Sequence, residues 1–304
     1  MKKEFALRAM ISIILLATFF YFIGIEKILN EISKTILSLF ILALAIENLG
    51  VFLSAKRWQI LLFDSGLKLN YKEALSFYYI GSFFNTMMPS SFGGDIIKAY
   101  KLGKKTSSIE AFSSVVMDRI AGLIAVIIIA TISISFYYFL IPLNTLIISM
   151  FIIISFVILI SIIIKTSLIE KLIMIFLNKL GKIGKFLLDV TKSIKKHRNI
   201  KIWCYIISIS ILYHLMLVIN NYILSLSIGI KTNFIYFLIF VPVSQILVSL
   251  PISIQGFGVR EGSYSMLFSS VGIDYSSAFS LGFLNQIVKV LTSIIGGVVY
   301  VIKK

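Results

Sequence analysis

Eight apolar runs divide the chain, and each is close to the length that crosses a membrane. They occupy residues 5–25, 36–55, 74–92, 111–140, 143–164, 202–228, 234–250 and 275–302. A helix needs about 20 apolar residues to cross the hydrocarbon core of a bilayer. The pattern therefore predicts an all-α polytopic membrane protein in which residues 1–304 form a single transmembrane domain. Because the first run lacks a small-residue cleavage pattern, we expect a retained span there and no signal peptide.

Two of these runs lead into proline and glycine, which interrupt helices. The run at 74–92 leads into NTMMPSSFGGD at residues 85–95, and the run at 234–250 leads into PISIQGFGVRE at residues 251–261. Proline removes a backbone donor, and glycine accepts conformations that end a helix. Interrupted helices at membrane depth occur where they are buried in protein or line a water-filled cavity.

The positions of lysine and arginine predict which loops are cytoplasmic. Basic residues collect at the N-terminus, over 56–72 and over 98–105. If all three regions are cytoplasmic, residues 74–97 enter and leave on one side as a re-entrant hairpin. A second hairpin over 234–272, entered from outside, would bring the C-terminus to the side of the N-terminus. The prediction is about six full spans plus two re-entrant helical hairpins, in the cell membrane, with both termini cytoplasmic.

The longest polar segment, residues 165–201, is strongly basic and is predicted to be a cytoplasmic loop. Its apolar residues recur at helical spacing, which suggests an amphipathic helix on the inner leaflet. A solvated linker explains the same composition, and the sequence leaves the two alternatives open.

The composition agrees with a membrane protein and excludes several other classes. Hydrophobic residues make up 59% of the chain and charged residues 14%, with a mean hydropathy of +1.00. The net charge is +16, and the basic residues that produce it flank the apolar runs. They therefore indicate cytoplasmic loops and attraction to anionic lipid headgroups rather than binding to nucleic acid. A lone cysteine, Cys204, supplies neither a disulfide framework nor a cysteine metal site.

Similar sequence elements recur in the two halves of the chain. Both interrupted segments contain Pro-x-Ser followed by glycine, and Lys98 and Arg260 stand at the same distance after their prolines. AFS at 111–113 precedes DRI at 118–120, and AFS at 278–280 precedes NQI at 285–287 with the same spacing. Coincidence is the alternative in a chain so rich in Ile, Phe and Ser. We predict an inverted repeat, with residues 36–140 as one unit and residues 202–302 as the other, an architecture common in transporters.

Charged residues within apolar stretches are costly and form the list of functional candidates. They are Glu47, Asp95, Asp118, Arg119, Arg260, Glu261 and Lys289. Each has a structural alternative: helix capping for Asp118 and Arg119, an interfacial position for Arg260 and Glu261, and a helix-to-helix ion pair for Glu47 and Lys289.

The glycines of the interrupted segments suggest a site for a phosphate. Gly93 and Gly94 stand at the start of a predicted half-helix, where free N–H groups attract anions, and Gly256 and Gly258 stand in the same relation to Arg260. Tight helix packing is the alternative role of these glycines.

Arginine binds phosphate oxygens bidentately, so Arg119 and Arg260 are the predicted phosphate contacts. At rest we expect Glu261 or Asp95 to neutralise Arg260, and Asp118 or Glu47 to neutralise Arg119.

Catalytic and cofactor signatures are missing from the sequence. The two histidines, His197 and His214, lie far apart, and the chain contains neither a Walker loop nor a dinucleotide fingerprint. We therefore expect a protein that is not an enzyme and has no metal or cofactor. His214, inside an apolar run, fits a hydrogen-bonded core residue better than a proton relay.

The interrupted segments together resemble those of a known family. NxxxPxxxGGD at 85–95, DR at 118–119 and PxSxxGxGxREG at 251–262 look like the lysylphosphatidylglycerol synthase transmembrane-region, or flippase-like, family, and the resemblance covers about Ile36 to Tyr300. Members carry Arg where Lys98 stands and usually Glu-Arg at 118–119. Both differences keep the charge but alter the geometry offered to a headgroup.

The resemblance implies a role with a polar lipid, such as an aminoacylated phospholipid or a polyprenyl-phosphate-linked sugar. Larger members append a soluble aminoacyltransferase domain, so the synthase activity is not expected here. Two functions remain: translocation of an anionic lipid between leaflets, or a membrane subunit that presents lipid to a separate glycosyltransferase or lipid-modifying enzyme. The residues predicted to bind the headgroup are Asn85, Pro89, Ser91, Gly93, Gly94, Asp95, Lys98, Asp118, Arg119, Ser253, Gly256, Gly258, Arg260 and Glu261.

Overall fold

Helices make up the regular structure of the described chain, in a computed structural model of the protein. The structure describes residues 23–88, 92–164, 166–194, 199–250 and 252–303, together with residues 10, 13, 14, 17, 18 and 21. The first-half helices are α1 (Ile25–Ser33), α2 (Leu37–Asp64), α3 (Tyr71–Met87), α4 (Gly93–Gly103) and α5 (Ser108–Tyr137), which a 3₁₀ turn, Tyr138–Leu140, extends. The remaining helices are α6 (Leu143–Ile164), α7 (Thr166–Ile194), α8 (Ile200–Ser227), α9 (Phe234–Ser249), α10 (Val259–Ser269) and α11 (Tyr275–Ile302).

Five of these helices are long and apolar enough to cross a membrane. They are α2, α5 with its 3₁₀ turn, α6, α8 and α11, and they coincide with five of the predicted spans. Together with the apolar runs they confirm the all-α polytopic membrane fold. The predicted first span, residues 5–25, lies largely outside the described residues.

Both predicted helix breaks are present. Helix α3 ends at Met87 and α4 begins at Gly93, while α9 ends at Ser249 and α10 begins at Val259. At about 1.5 Å per residue, α3 is about 25 Å long, shorter than the hydrocarbon core of about 30 Å. This length fits a hairpin that returns to the side of the membrane from which it entered. The re-entrant arrangement stays a prediction. Residues 89–91 and 251 lie outside the described residues.

Helices α2 and α8 pack against each other in opposite directions. The backbone N–H of Ile36 donates to Ser227 O at 2.8 Å, so the start of α2 meets the end of α8. Farther along, the Asn220 amide donates to Glu47 Oε2 at 3.2 Å, and Arg57 donates to Ser210 Oγ at 3.1 Å. In these contacts the residue numbers rise along α2 while they fall along α8, so the two helices are antiparallel.

The contacts of the remaining long helices follow a matching pattern. Helix α5 packs on α9 and α4, and α11 packs on α3 and α10. A large apolar core lies where α5 and α8 to α11 meet, and Phe237, Phe240, Tyr264 and Phe268 are fully buried in it. The two interrupted helices are therefore each held against a long helix from the other half of the chain.

Helix α7 occupies most of the basic segment 165–201, for which the sequence allowed either an amphipathic helix or a solvated linker. It runs from Thr166 to Ile194 with a change of direction at Gly181, where φ is 51°. Ser193 lies within 3.0 Å of Ser113 on α5, and Phe186 packs edge-on against Phe112. The structure therefore shows a helix over most of the segment, packed on α5 near its C-terminal end. Its position on the cytoplasmic side stays a prediction.

Helix α2 extends beyond the run of residues 36–55 that predicts it. It continues to Asp64 and buries Arg57 and Trp58. The sequence groups Arg57 with Lys56 in a basic flank that is predicted to be cytoplasmic, but in the structure the Arg57 side chain is buried between helices. Apolar residues follow it as well as precede it, so the helix carries the guanidinium into the bundle.

Candidate functional site

Three cations and two carboxylates meet where α4 packs on α5. Lys98 Nζ lies 3.0 Å from Asp95 Oδ1 and 3.7 Å from Asp118 Oδ2. Arg119 Nε donates to the second oxygen of Asp95. Arg57, from α2, donates through Nε to Asp118 Oδ1 at 2.7 Å. We call these residues and Tyr78 the α4–α5 cluster.

Tyr78 and Arg57 tie this cluster to its surroundings. The Tyr78 hydroxyl donates to Asp118 Oδ2 at 2.6 Å and accepts from Arg57 Nη2 at 3.2 Å. Arg57 also reaches Ser210 on α8. Every charged group in the cluster thus has polar partners, as burial of ions requires.

Aromatic rings cover two of the cations. Lys98 Nζ lies 4.2 Å from the centroid of the Tyr78 ring and 5.4 Å from that of Trp58. The Arg119 guanidinium lies 4.0 Å from the centroid of Phe92. These are cation–π distances.

Exposure identifies the open end of the cluster. The Arg119 side chain is 30% exposed and that of Asp95 12%, whereas Lys98 and Asp118 are 6% and 2% exposed. An anion would therefore meet Arg119 and Asp95 first.

The break between α3 and α4 brings these charges to α5. Gly94 packs so closely on α3 that an added Cβ would overlap the carbonyl of Gly81. Its N–H donates to Asn85 Oδ1 at 2.7 Å, which satisfies one of the free donors at the start of α4. The predicted half-helix start is therefore present, but Asn85 occupies this donor.

A second cluster lies at the start of α10. Arg260 donates through Nη1 to Asn285 Oδ1 at 3.0 Å and through Nε to Gln286 Oε1 at 3.1 Å, both on α11. The N–H of Gly258 donates to Glu261 Oε2 at 2.8 Å. Arg260 and Glu261 are buried, with 3% and 0% exposure, so neither side chain lies at the protein surface. We call Arg260, Glu261, Asn285 and Gln286 the Arg260 cluster.

Two buried polar atoms of the Arg260 cluster are unsatisfied within the described residues. Glu261 Oε1 and Asn285 Nδ2 are buried and have no hydrogen-bond partner within the described part of the chain. Buried polar groups are normally satisfied, so these two are candidates for contact with a ligand, a proton or water.

The loop before α10 needs unusual backbone angles. Gln255, Gly256 and Gly258 have φ of 48°, 83° and 81°. A side chain at Gly256 would also meet Val248. The predicted site residue Ser253 is buried in the same loop. The glycines of this motif thus shape the loop that delivers Arg260.

The last two charged residues among the functional candidates, Glu47 and Lys289, form an ion pair. Lys289 Nζ on α11 lies 3.0 Å from Glu47 Oε1 on α2, which is the helix-to-helix alternative considered above. His214 Nε2 donates to the carbonyl of Gly122 at 3.1 Å, as expected for a core residue.

Asp95 and Asp118 have other partners than the sequence analysis expected. Arg119 pairs with Asp95, which was expected to neutralise Arg260. Asp118 pairs with Arg57 and Lys98 instead. Adjacent residues on a helix point about 100° apart, so Asp118 and Arg119 face different neighbours. Arg260 donates to the amides of Asn285 and Gln286, and Asp95, one of its two expected partners, lies in the other cluster.

Several residues of these clusters were not among the predicted site residues. They are Arg57, Tyr78, Asn285 and Gln286. The predicted repeat held a signal for the two amides, because it equates Asn285 with Asp118 and Arg260 with Lys98. In the structure Lys98 lies next to Asp118 in the first cluster, and Arg260 contacts Asn285 in the second. Of the predicted site residues, Pro89 and Ser91 lie outside the described range.

Comparison with known proteins agrees with this architecture. The family model described as the lysylphosphatidylglycerol synthase TM region matches residues 5–297. UPF0104 membrane protein PH1989 of Pyrococcus horikoshii is 22% identical over 98% of this chain and 96% of its own length. UPF0104 membrane protein MJ1595 of Methanocaldococcus jannaschii is 24% identical over 97% of this chain and 93% of its own. No solved structure matches. The chain is a multi-pass membrane protein that belongs to the lysylphosphatidylglycerol synthase transmembrane-region family.

Proposed function

We propose that this protein translocates an anionic, phosphate-bearing polar lipid between the leaflets of the cell membrane. The observation that carries the proposal is the α4–α5 cluster, in which three cations face two carboxylates at the end of an interrupted helix. One positive charge is left in excess. Charged groups within a membrane bundle are costly and mark substrate pathways.

Arg119 and Asp95 would receive the headgroup. The pair lies at the open end of the cluster, and Arg119 has a planar group suited to phosphate oxygens. A phosphate that binds Arg119 competes with Asp95, which still has Lys98 as a partner. Substrate binding would thus loosen the contact between α4 and α5 without leaving Asp95 unpaired.

The Arg260 cluster is a second candidate site for the headgroup, in the other half of the chain, and its arginine is bound more weakly by its neighbours. Its arginine is held by two neutral amides where the α4–α5 cluster has carboxylates. Glu261 occupies the start of α10, the place where an anion would otherwise bind. An arriving phosphate would displace Glu261 from Gly258 or share Arg260 with the amides.

The arrangement of the helices supports alternation between two states. The antiparallel α2 and α8 would be the equivalent helices of two inverted units, and α3–α4 and α9–α10 the equivalent hairpins. Rocking of one unit against the other around a central site is the common mechanism of such folds. In this proposal the termini lie in the cytoplasm.

Reconstitution tests the proposal directly. The purified chain is placed in liposomes with fluorescent phosphatidylglycerol, and the fraction of label protected from a membrane-impermeant quencher is followed over time. We expect movement between leaflets in the native protein. We expect Arg260→Lys and Arg119→Lys to slow it at least about tenfold, because lysine lacks the bidentate fork. Arg198→Lys, the same change in the basic segment, serves as the matched control.

The outcomes separate the two candidate functions. No movement with several classes of anionic lipid would favour the subunit that presents lipid to a separate enzyme. Full movement in a folded Arg260→Lys protein would show that this arginine does not contact the phosphate.

A further inference from the structure

A groove on the surface of the bundle is lined by residues that belong to neither cluster. It runs along the contact between α2 and α8 and has a volume of about 600 Å³, within the size range of ligand pockets. Its apolar lining comes from Leu49, Phe52, Leu53, Leu212 and Met216.

One end of the groove is polar and basic. Lys56 and Tyr71 complete the lining there, and the Tyr71 hydroxyl donates to Phe52 O at 3.1 Å. Lys56 Nζ lies 5.8 Å from the Tyr71 ring and donates to Gln59 Oε1 at 3.0 Å. Gln59 is neutral, and the lining contains no carboxylate, so the positive charge of Lys56 is available to an anion.

The two ends together match one kind of molecule. Tyrosine and lysine at the end of a span are the residues that meet lipid headgroups, and the apolar positions continue along α2 for about 10 Å. We propose that the groove binds an anionic phospholipid, with one acyl chain along Leu49 to Leu53 and its phosphate at Lys56.

This site is distinct from the proposed headgroup path. Glu47, Gly50 and Asn220 line the helix contact next to it, and Met216 is shared between the two surfaces. A lipid in the groove would therefore lie beside the seam between the two halves, where it can stabilise the packing of α2 on α8.

Photocrosslinking tests the groove independently of lipid movement. Phosphatidylglycerol with a photoreactive acyl chain is incorporated into vesicles with the full-length chain, and phosphatidylcholine with the same chain is the comparison. Mass spectrometry of digested protein should place the phosphatidylglycerol label within residues 49–53 and 212–216. Label spread evenly over other exposed apolar faces, such as α6, would overturn the proposal.

Two variants separate the roles of charge and shape. Lys56→Gln should lower the phosphatidylglycerol yield at these positions about fivefold, the effect of one basic residue at a membrane surface, and leave the phosphatidylcholine yield unchanged. Lys72→Gln, an exposed lysine next to Tyr71, is the matched control and should change neither yield.

The second variant, Leu212→Trp, fills the groove at a side chain that is 49% exposed, and it should lower both yields. Leu159→Trp, at 42% exposure on α6, should lower neither. An unchanged phosphatidylglycerol yield in Lys56→Gln overturns the proposal even if Leu212→Trp fails to fold. The readout is binding, so a protein that moves no lipid can still pass this test.

Discussion

At the scale of single residues, Asp118 determines how the cations of the α4–α5 cluster can be buried together. It accepts hydrogen bonds from Arg57 and Tyr78 and lies near Lys98. Removing one partner of a buried ion pair costs more than the pair itself contributes, because the other charge is left without compensation. Asp118 should therefore matter for folding as well as for the substrate.

Asp118→Asn should lower the free energy of unfolding by about 3 kcal/mol, since it keeps the shape of the side chain but leaves Arg57 and Lys98 with less negative charge. Denaturant unfolding in detergent micelles measures the change. Asp189→Asn, at an exposed carboxylate paired with Lys192 at 3.7 Å, should change it by less than about 0.5 kcal/mol.

A second substitution checks the cause. Lys98→Met in the Asp118→Asn background removes one positive charge, returns the excess to that of the native cluster and should recover part of the lost stability. If the double variant is less stable by the sum of the two single effects, charge compensation is not the reason.

The sequence identified these charges better than it identified their partners. Asp95, Asp118, Arg119 and Arg260 could be selected because ions inside apolar stretches are rare. Their pairing depends on which helix faces which, and the sequence does not contain that information. Arg57 was missed because it follows Lys56 and looks like part of a basic flank, although the apolar residues at 58 and 60–63 after it were a usable sign.

At the scale of helices, the breaks could be predicted because their causes are local. Proline and glycine interrupt a helix wherever they stand, and both interrupted segments carry them. The close approach of α4 to α3 is different, since it depends on Gly81 and Gly94 meeting across the break. A pattern of apolar positions does not reveal such a contact.

Gly94→Ala should separate α4 from α3, because the new methyl group would overlap the Gly81 carbonyl, and backbone yields less readily than a side chain. We expect a loss of about 1–3 kcal/mol in the free energy of unfolding. Gly122→Ala is the control, since its Cβ would meet Arg57 Nη1 at an ordinary contact distance of 3.5 Å. Equal stability of Gly94→Ala and the native protein in thermal unfolding would contradict this packing.

At the scale of the whole molecule, the lengths and contacts of the helices in the two halves of the chain support the predicted repeat. Helices of 28, 17, 11 and 30 residues, α2 to α5, correspond to helices of 28, 16, 11 and 28 residues, α8 to α11. The contact of α5 with α9 corresponds to that of α11 with α3. Because α2 and α8 run in opposite directions, a repeat that equates them must be inverted with respect to the membrane.

Side-specific labelling of single cysteines tests the re-entrant hairpins and the inversion together. Exposed positions mark both ends of each hairpin: Lys72 and Lys104 for α3–α4, Asn233 and Asp274 for α9–α10. With Cys204 replaced by serine, cysteines at 72 and 104 should react with a membrane-impermeant maleimide from one side. Cysteines at 233 and 274 should react from the opposite side, since each hairpin returns to its own side and the two units are inverted.

A fifth cysteine at Lys192, on α7, should react from the same side as those at 72 and 104, because the basic segments are expected together in the cytoplasm. Opposite accessibility of 72 and 104 would mean that α3 and α4 cross the membrane in series, and the first hairpin would be wrong. Accessibility of all four hairpin positions from one side would keep the hairpins but exclude the inversion. The rocking mechanism would then lose its structural basis, while the phosphate contacts of Arg119 and Arg260 would still stand on their own test.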